Sequence, residues 1–94
     1  MKKILTVCGM GIGTSLILKN NTEKVLRGLG QDREIDVEAA DIGTARGAAR
    51  TADVVLISQE LVEQLGDVHS KVIVINNFLS LDEIKSKLEP ELEL

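Results

Sequence analysis

One cysteine in 94 residues, Cys8, opens the stretch Cys8-Gly9-Met10-Gly11-Ile12-Gly13-Thr14-Ser15. Glycines at 9, 11 and 13 let the backbone curl and turn its N–H groups to one side. Such a nest, continued into a helix N-terminus, attracts anions and above all phosphate. The same dipoles favour thiolate over thiol, and thiol pKa values in such settings fall from ~8.5 toward ~3.5–7.5. A thiolate beside a phosphate cradle is a phosphoryl acceptor, and the cradle can stabilise the equatorial oxygens during transfer. Cys8 is the candidate nucleophile. Gly9, Met10, Gly11, Ile12, Gly13, Thr14 and Ser15 are the candidate phosphate cradle, acting through backbone N–H groups with the Thr14 and Ser15 hydroxyls as extra donors. The bland alternative makes Cys8 a small buried residue ending a strand. The glycine-rich turn that follows it favours chemistry.

Other anion loops fit less well. A Walker A loop needs lysine before the helix hydroxyl, where this chain has Gly13. A dinucleotide fingerprint needs glycine at Thr14. A cysteine phosphatase loop needs arginine at Thr14, and the sole proline, Pro90, leaves no Asp-Pro to supply a general acid. A phosphoenzyme here would be poorly helped toward hydrolysis, as suits a relay.

The loop must be held by a strand before it and a helix after it. Lys3 to Val7 is an apolar run that reads as a buried strand. Leu18, Val25, Leu26 and Leu29 share one face of a helix opening at Thr14-Ser15, with Gly28 and Gly30 marking its end. Asn20 and Asn21 inside it are poor helix formers and need tertiary support. Glu34 to Ala40 alternates as a half-exposed edge strand, Asp41 to Thr44 reads as a loop, and Ala45 to Ala52 as a short helix. Asp53 to Ile57 is a central strand, Gln59 to Leu65 a short helix closed by Gly66, and Lys71 to Ile75 a fourth strand. Asn76 to Leu79 is a loop. Ser80 and Glu83 have capping-box spacing for a last helix to about Leu88, which Pro90 ends or kinks. The βαβαβαβα order predicts one domain over residues 1–94: a three-layer α/β/α fold with a four-stranded parallel sheet, order 2-1-3-4, flavodoxin-like.

Composition narrows the function. Net charge is −4 and Phe78 is the sole aromatic residue, which argues against a nucleic-acid partner. No grouped Cys and His suggest a metal site. No run approaches the ~20 apolar residues of a membrane span, residues 1–8 make no signal peptide, and a lone thiol suits the reducing cytosol.

The Cys8–Ser15 stretch after a Lys-Lys-Ile-Leu strand resembles the active-site loop of IIB components of the phosphoenolpyruvate-dependent sugar phosphotransferase system. The whole chain is similar to the free-standing IIB subunits of the ascorbate and galactitol group, and Ile75-Asn76-Asn77-Phe78-Leu79-Ser80 leans toward the ascorbate type. The resemblance implies a cytoplasmic phosphotransferase. Cys8 would take phosphate from a phosphohistidine on a IIA protein and pass it to a sugar held by a membrane IIC transporter, with no cofactor and no membrane insertion of its own. The alternatives are a small cysteine-dependent phosphatase or reductase, and a non-catalytic IIB-like regulatory module.

Of the remaining residues, Met10 and Ile12 either pack inward or form a docking surface around the thiol. Arg46 and Arg50 read as a solvated helical face, Asp41 as the cap of the turn that follows it, and His69 as a surface turn residue at the end of the sheet opposite Cys8.

Overall fold

A computed structural model describes residues 2–8 and 13–92, without the side chains of Lys2, Cys8, Thr14, Ser15 and Leu92. The strands are β1 (Lys2–Cys8), β2 (Ile35–Asp41), β3 (Val54–Ile57) and β4 (Lys71–Val74). The helices are α1 (Gly13–Gly28), α2 (Ile42–Ala48), α3 (Val62–Leu65) and α4 (Leu81–Leu88). Short 3-10 turns occupy Ala49–Thr51, Gln59–Leu61 and Glu89–Leu92. All four strands pair in parallel, in the order β2-β1-β3-β4. The expected three-layer α/β/α, flavodoxin-like architecture is the one observed.

The sequence dictates the layers through side-chain alternation. Ile4, Val54, Leu56, Ile73 and Ile75 point to one face, where Leu18, Val25 and Leu26 of α1 and Ile84 and Leu88 of α4 cover them. Leu5, Val7, Val55 and Ile57 point to the other, under Ala45 of α2, Leu61 and Leu65. All four β3 residues are buried. A parallel strand covered on both faces needs this continuous apolar composition. β2 stands at the edge and alternates buried with exposed residues, as its charge pattern predicts.

Tertiary contacts support the weak part of α1. The Asn21 amide donates to the Phe78 carbonyl at 2.8 Å, tying α1 to the segment that precedes α4. Gly28 is the last residue of α1, and Gly30 closes the helix end. Its φ of +73° allows its N–H to reach Arg27 O, while the Gln31 N–H bonds to Leu26 O at 2.8 Å, the double closure of a Schellman motif.

Two boundaries differ from expectation. α1 opens at Gly13, one residue ahead of the expected start at Thr14-Ser15, so Gly13 belongs to its first turn. Asp41 to Thr44 is not a loop: Asp41 ends β2, and α2 starts at once at Ile42. The Asp41 carboxylate explains the abrupt change, accepting hydrogen bonds from the Thr44 N–H at 3.0 Å and the Thr44 hydroxyl at 3.2 Å. The end of α4 is as expected: the helix stops at Leu88, and Pro90 lies within the 3-10 turn that follows it.

The capping box of α4 is half formed. Ser80 Oγ accepts from the Glu83 N–H at 3.1 Å. The Glu83 carboxylate reaches past Ser80, accepting from the N–H groups of Asn76 at 2.7 Å and Asn77 at 2.9 Å. Lys87 Nζ bonds to the same carboxylate at 2.8 Å and to Val74 O at 2.7 Å. One carboxylate thereby joins the end of β4, the connection after it and α4. The Lys87 hydrogen bond and the Asn76 N–H pull the Glu83 pKa down from 4.5 to about 2.

This pinning sets a pH signature. Because the folded-state pKa is depressed, the stabilisation is complete above pH 4.5 and fades as pH falls toward 2. Glu83→Gln is expected to lose about 1–2 kcal/mol at neutral pH. In urea titrations from neutral pH down to pH 3, the gap between wild type and variant should narrow with acid, and a gap that held constant would contradict this account.

Candidate functional site at the carboxyl edge of the sheet

Parallel strands bring all their carboxyl ends to one edge. Cys8 is the last residue of β1, a strand paired on both sides, and its register partner at that edge is Asp41, the last residue of β2. Chain entry into α1, α2 and α4 occurs at the same edge, so their N-terminal ends face the side on which Cys8 ends its strand. The first four N–H groups of a helix have no intrahelical acceptor, and the helix dipole places partial positive charge there.

The connections also change side at β1. The crossover through α1 covers one sheet face and the crossover through α2 the other. The carboxyl end of β1, beside β3, is therefore the topological switch point, where open parallel sheets bind ligands. Four residues separate Cys8 from Gly13, the first residue of α1.

The structure thus holds the two flanks of the predicted site at one edge: the Cys8 backbone at the end of β1, and Gly13, Thr14 and Ser15 in the first turn of α1. Gly9, Met10, Gly11 and Ile12, both as cradle and as docking surface, lie outside the described residues.

Asp41, beside Cys8 in register, is the predicted cap. Its carboxylate is turned to its own helix through Thr44, and Gly43 leaves it space, since a side chain at 43 would come within 3.2 Å of Asp41 Oδ1. Arg46 and Arg50 lie farther along the chain from this edge, on α2 and the 3-10 turn after it. His69 precedes β4, at the opposite end of the sheet as predicted. Its ring Nε2 lies 2.8 Å from Arg50 O. Beside it, the buried Ser70 hydroxyl reaches Ala49 O at 2.8 Å and Ala52 O at 2.7 Å. His69 is thus more than a solvated turn residue: with Ser70 it caps the carbonyl end of the α2 segment.

Sequence reasoning missed the apolar rim of this edge. Leu16 and Ile17 on α1 are 41 % and 46 % exposed, and Leu79 and Leu81 at the start of α4 are 72 % and 41 % exposed. The signal was available, because Leu16 and Ile17 fall off the helical face defined by Leu18, Val25 and Leu26.

Fold and site edge define a small parallel α/β protein whose central strand ends in a cysteine, with four residues between it and the first residue of a helix on the same edge. The profile of the family "PTS system, Lactose/Cellobiose specific IIB subunit" matches residues 3–90. A protein of Mycoplasma pneumoniae named "Ascorbate-specific PTS system EIIB component" is 31 % identical over 86 residues, covering 90 % of this chain and 88 % of the relative. The chain belongs to the PTS IIB family, the sugar-phosphotransferase components that carry phosphoryl groups and work with IIA and IIC partners. Among the described residues no helix is long and apolar enough to cross a membrane.

The capping role of Asp41 can be measured. Asp41→Ala should cost about 1 kcal/mol in urea unfolding, whereas Asp41→Asn, which keeps an acceptor oxygen, should stay within a few tenths of wild type. Equal losses in both variants would remove the cap as the reason α2 starts without a loop.

Proposed function

We propose that this protein relays a phosphoryl group through Cys8. The Cys8 thiolate attacks phosphorus on a phosphohistidine of a IIA partner. An S–P bond forms, the N–P bond breaks, and the imidazole leaves and takes up a proton. A sugar hydroxyl held by a membrane IIC partner then attacks the phosphocysteine. An O–P bond forms, the S–P bond breaks, the thiolate returns and the hydroxyl proton is released. N–H groups from Gly9 to Ser15 hold the equatorial oxygens, and the chain works at the cytoplasmic face of the membrane.

The observation that carries the reading is the ending of β1 at Cys8, on the switch-point edge, with four residues between it and a helix. A helix N-terminus favours an anion beside it, and a thiolate there gains from the same field. The exposed Leu16, Ile17, Leu79 and Leu81 offer IIA and IIC an apolar surface at the edge of the sheet where β1 ends. For the sugar we favour ascorbate, on the name of the Mycoplasma relative, with galactitol next.

The test incubates the protein with phosphoenolpyruvate, the general phosphotransferase enzymes and a matched IIA, then reads the intact mass and maps the modified residue. One phosphoryl group on Cys8 is expected, and Cys8→Ser should reduce transfer to sugar by on the order of a thousandfold or more. An adduct that persists in Cys8→Ser would move the carrier to another residue. No adduct, with inorganic phosphate released from an aryl phosphate, would favour the phosphatase reading.

A further inference from the structure

At the end of the sheet away from Cys8, the last turn of α2, the 3-10 turn after it and the segment before β4 line an open surface pocket of about 420 Å3, with Arg46, Arg50, Asp67 and His69 all exposed. Arg46, Gly47, Arg50, Asp67, Val68 and His69 line it. Its volume lies in the range of small-molecule sites, roughly 300–1,000 Å3.

Its charges are unusual for a chain of net charge −4. Arg46 and Arg50 are four residues apart and both face this space. Neither guanidinium has a hydrogen bond or ion pair with another described residue, and neither does the Asp67 carboxylate. Two like charges at this spacing repel unless an anion lies between them.

The groups around them are held in place. Ser70 and His69 tie the segment before β4 to the carbonyls of Ala49, Arg50 and Ala52. Gly66, at φ +72°, carries no side chain where the Arg46 guanidinium lies: a Cβ there would stand 3.3 Å from Arg46 Nη2. Glycine at 66 therefore both permits the turn and leaves Arg46 its place at the cavity wall.

We propose that this cavity is a binding site for a small phosphate monoester that carries hydroxyl groups. The guanidinium groups of Arg46 and Arg50 take the phosphate, for which their planar donor forks are suited. Asp67 accepts a hydrogen bond from a hydroxyl. The site lies at the other end of the sheet from Cys8 and does not rest on the reading of Cys8 as nucleophile.

The experiment titrates the full-length protein with inorganic phosphate and separately with glycerol 3-phosphate, at constant ionic strength set with chloride, and follows backbone amides by NMR. Saturable shifts at Gly47, Val68 and His69 are expected, with dissociation constants on the order of 1 mM. Glycerol 3-phosphate should bind at least about threefold tighter than phosphate, and Asp67→Ala should abolish that difference. Arg46→Gln/Arg50→Gln should weaken both ligands at least about tenfold while amides elsewhere keep their positions. The proposal is overturned if no shift saturates by about 50 mM, if the double variant binds as wild type does, or if the shifts cluster at the start of α1. Equal affinity for the two ligands would remove the role of Asp67 and the monoester as the ligand class.

Discussion

The pairing of β1 on both of its edges is the constraint on which the rest of the structure depends. A strand hydrogen-bonded to β2 and β3 and buried on both faces cannot shift by one residue without repacking both cores, because Ile4 and Leu5 would exchange faces. The position of Cys8 at the sheet edge follows from that register. So does the side on which each helix packs, since parallel strands need crossover connections and right-handed crossovers determine the covered face.

Around this frame, polar groups do the local fastening. Asp41 lets α2 begin without a loop. Glu83 and Lys87 bind the end of β4 to α4, and Ser70 and His69 close the carbonyl end after α2. Each satisfies backbone donors or acceptors that the short connections would otherwise leave without partners. The core is aliphatic, with Phe78 as the sole aromatic residue, and the polar fasteners add directional contacts that help place one element against the next.

Such a division of labour suits a carrier. The rigid sheet supplies an edge where helix N-termini converge, and charge on a transferring group is best stabilised by dipoles that need not reorganise. The apolar side chains around that edge, Leu16, Ile17, Leu79 and Leu81, stay outside both cores, so a partner can cover them without disturbing the fold.

Much of this was legible in the sequence. Continuous apolar runs marked the buried strands, alternation marked β2 as the edge, and helical spacing marked α1, because burial on two faces, one face or a stripe imposes those periods directly. Strand order and the elements that flank residues 9–12 followed from the βαβ pattern. The tertiary structure alone decided which acceptor each polar side chain would take. Capping-box spacing pointed Glu83 at its own helix, yet the carboxylate turned to Asn76 and Asn77 once β4 had brought those amides within reach. Arg46 and Arg50 read as solvated, and their convergence with Asp67 and His69 on one cavity depends on two segments about twenty residues apart meeting across the sheet's end. Local periodicity reports which face is buried; it holds no information about partners that only long-range packing supplies.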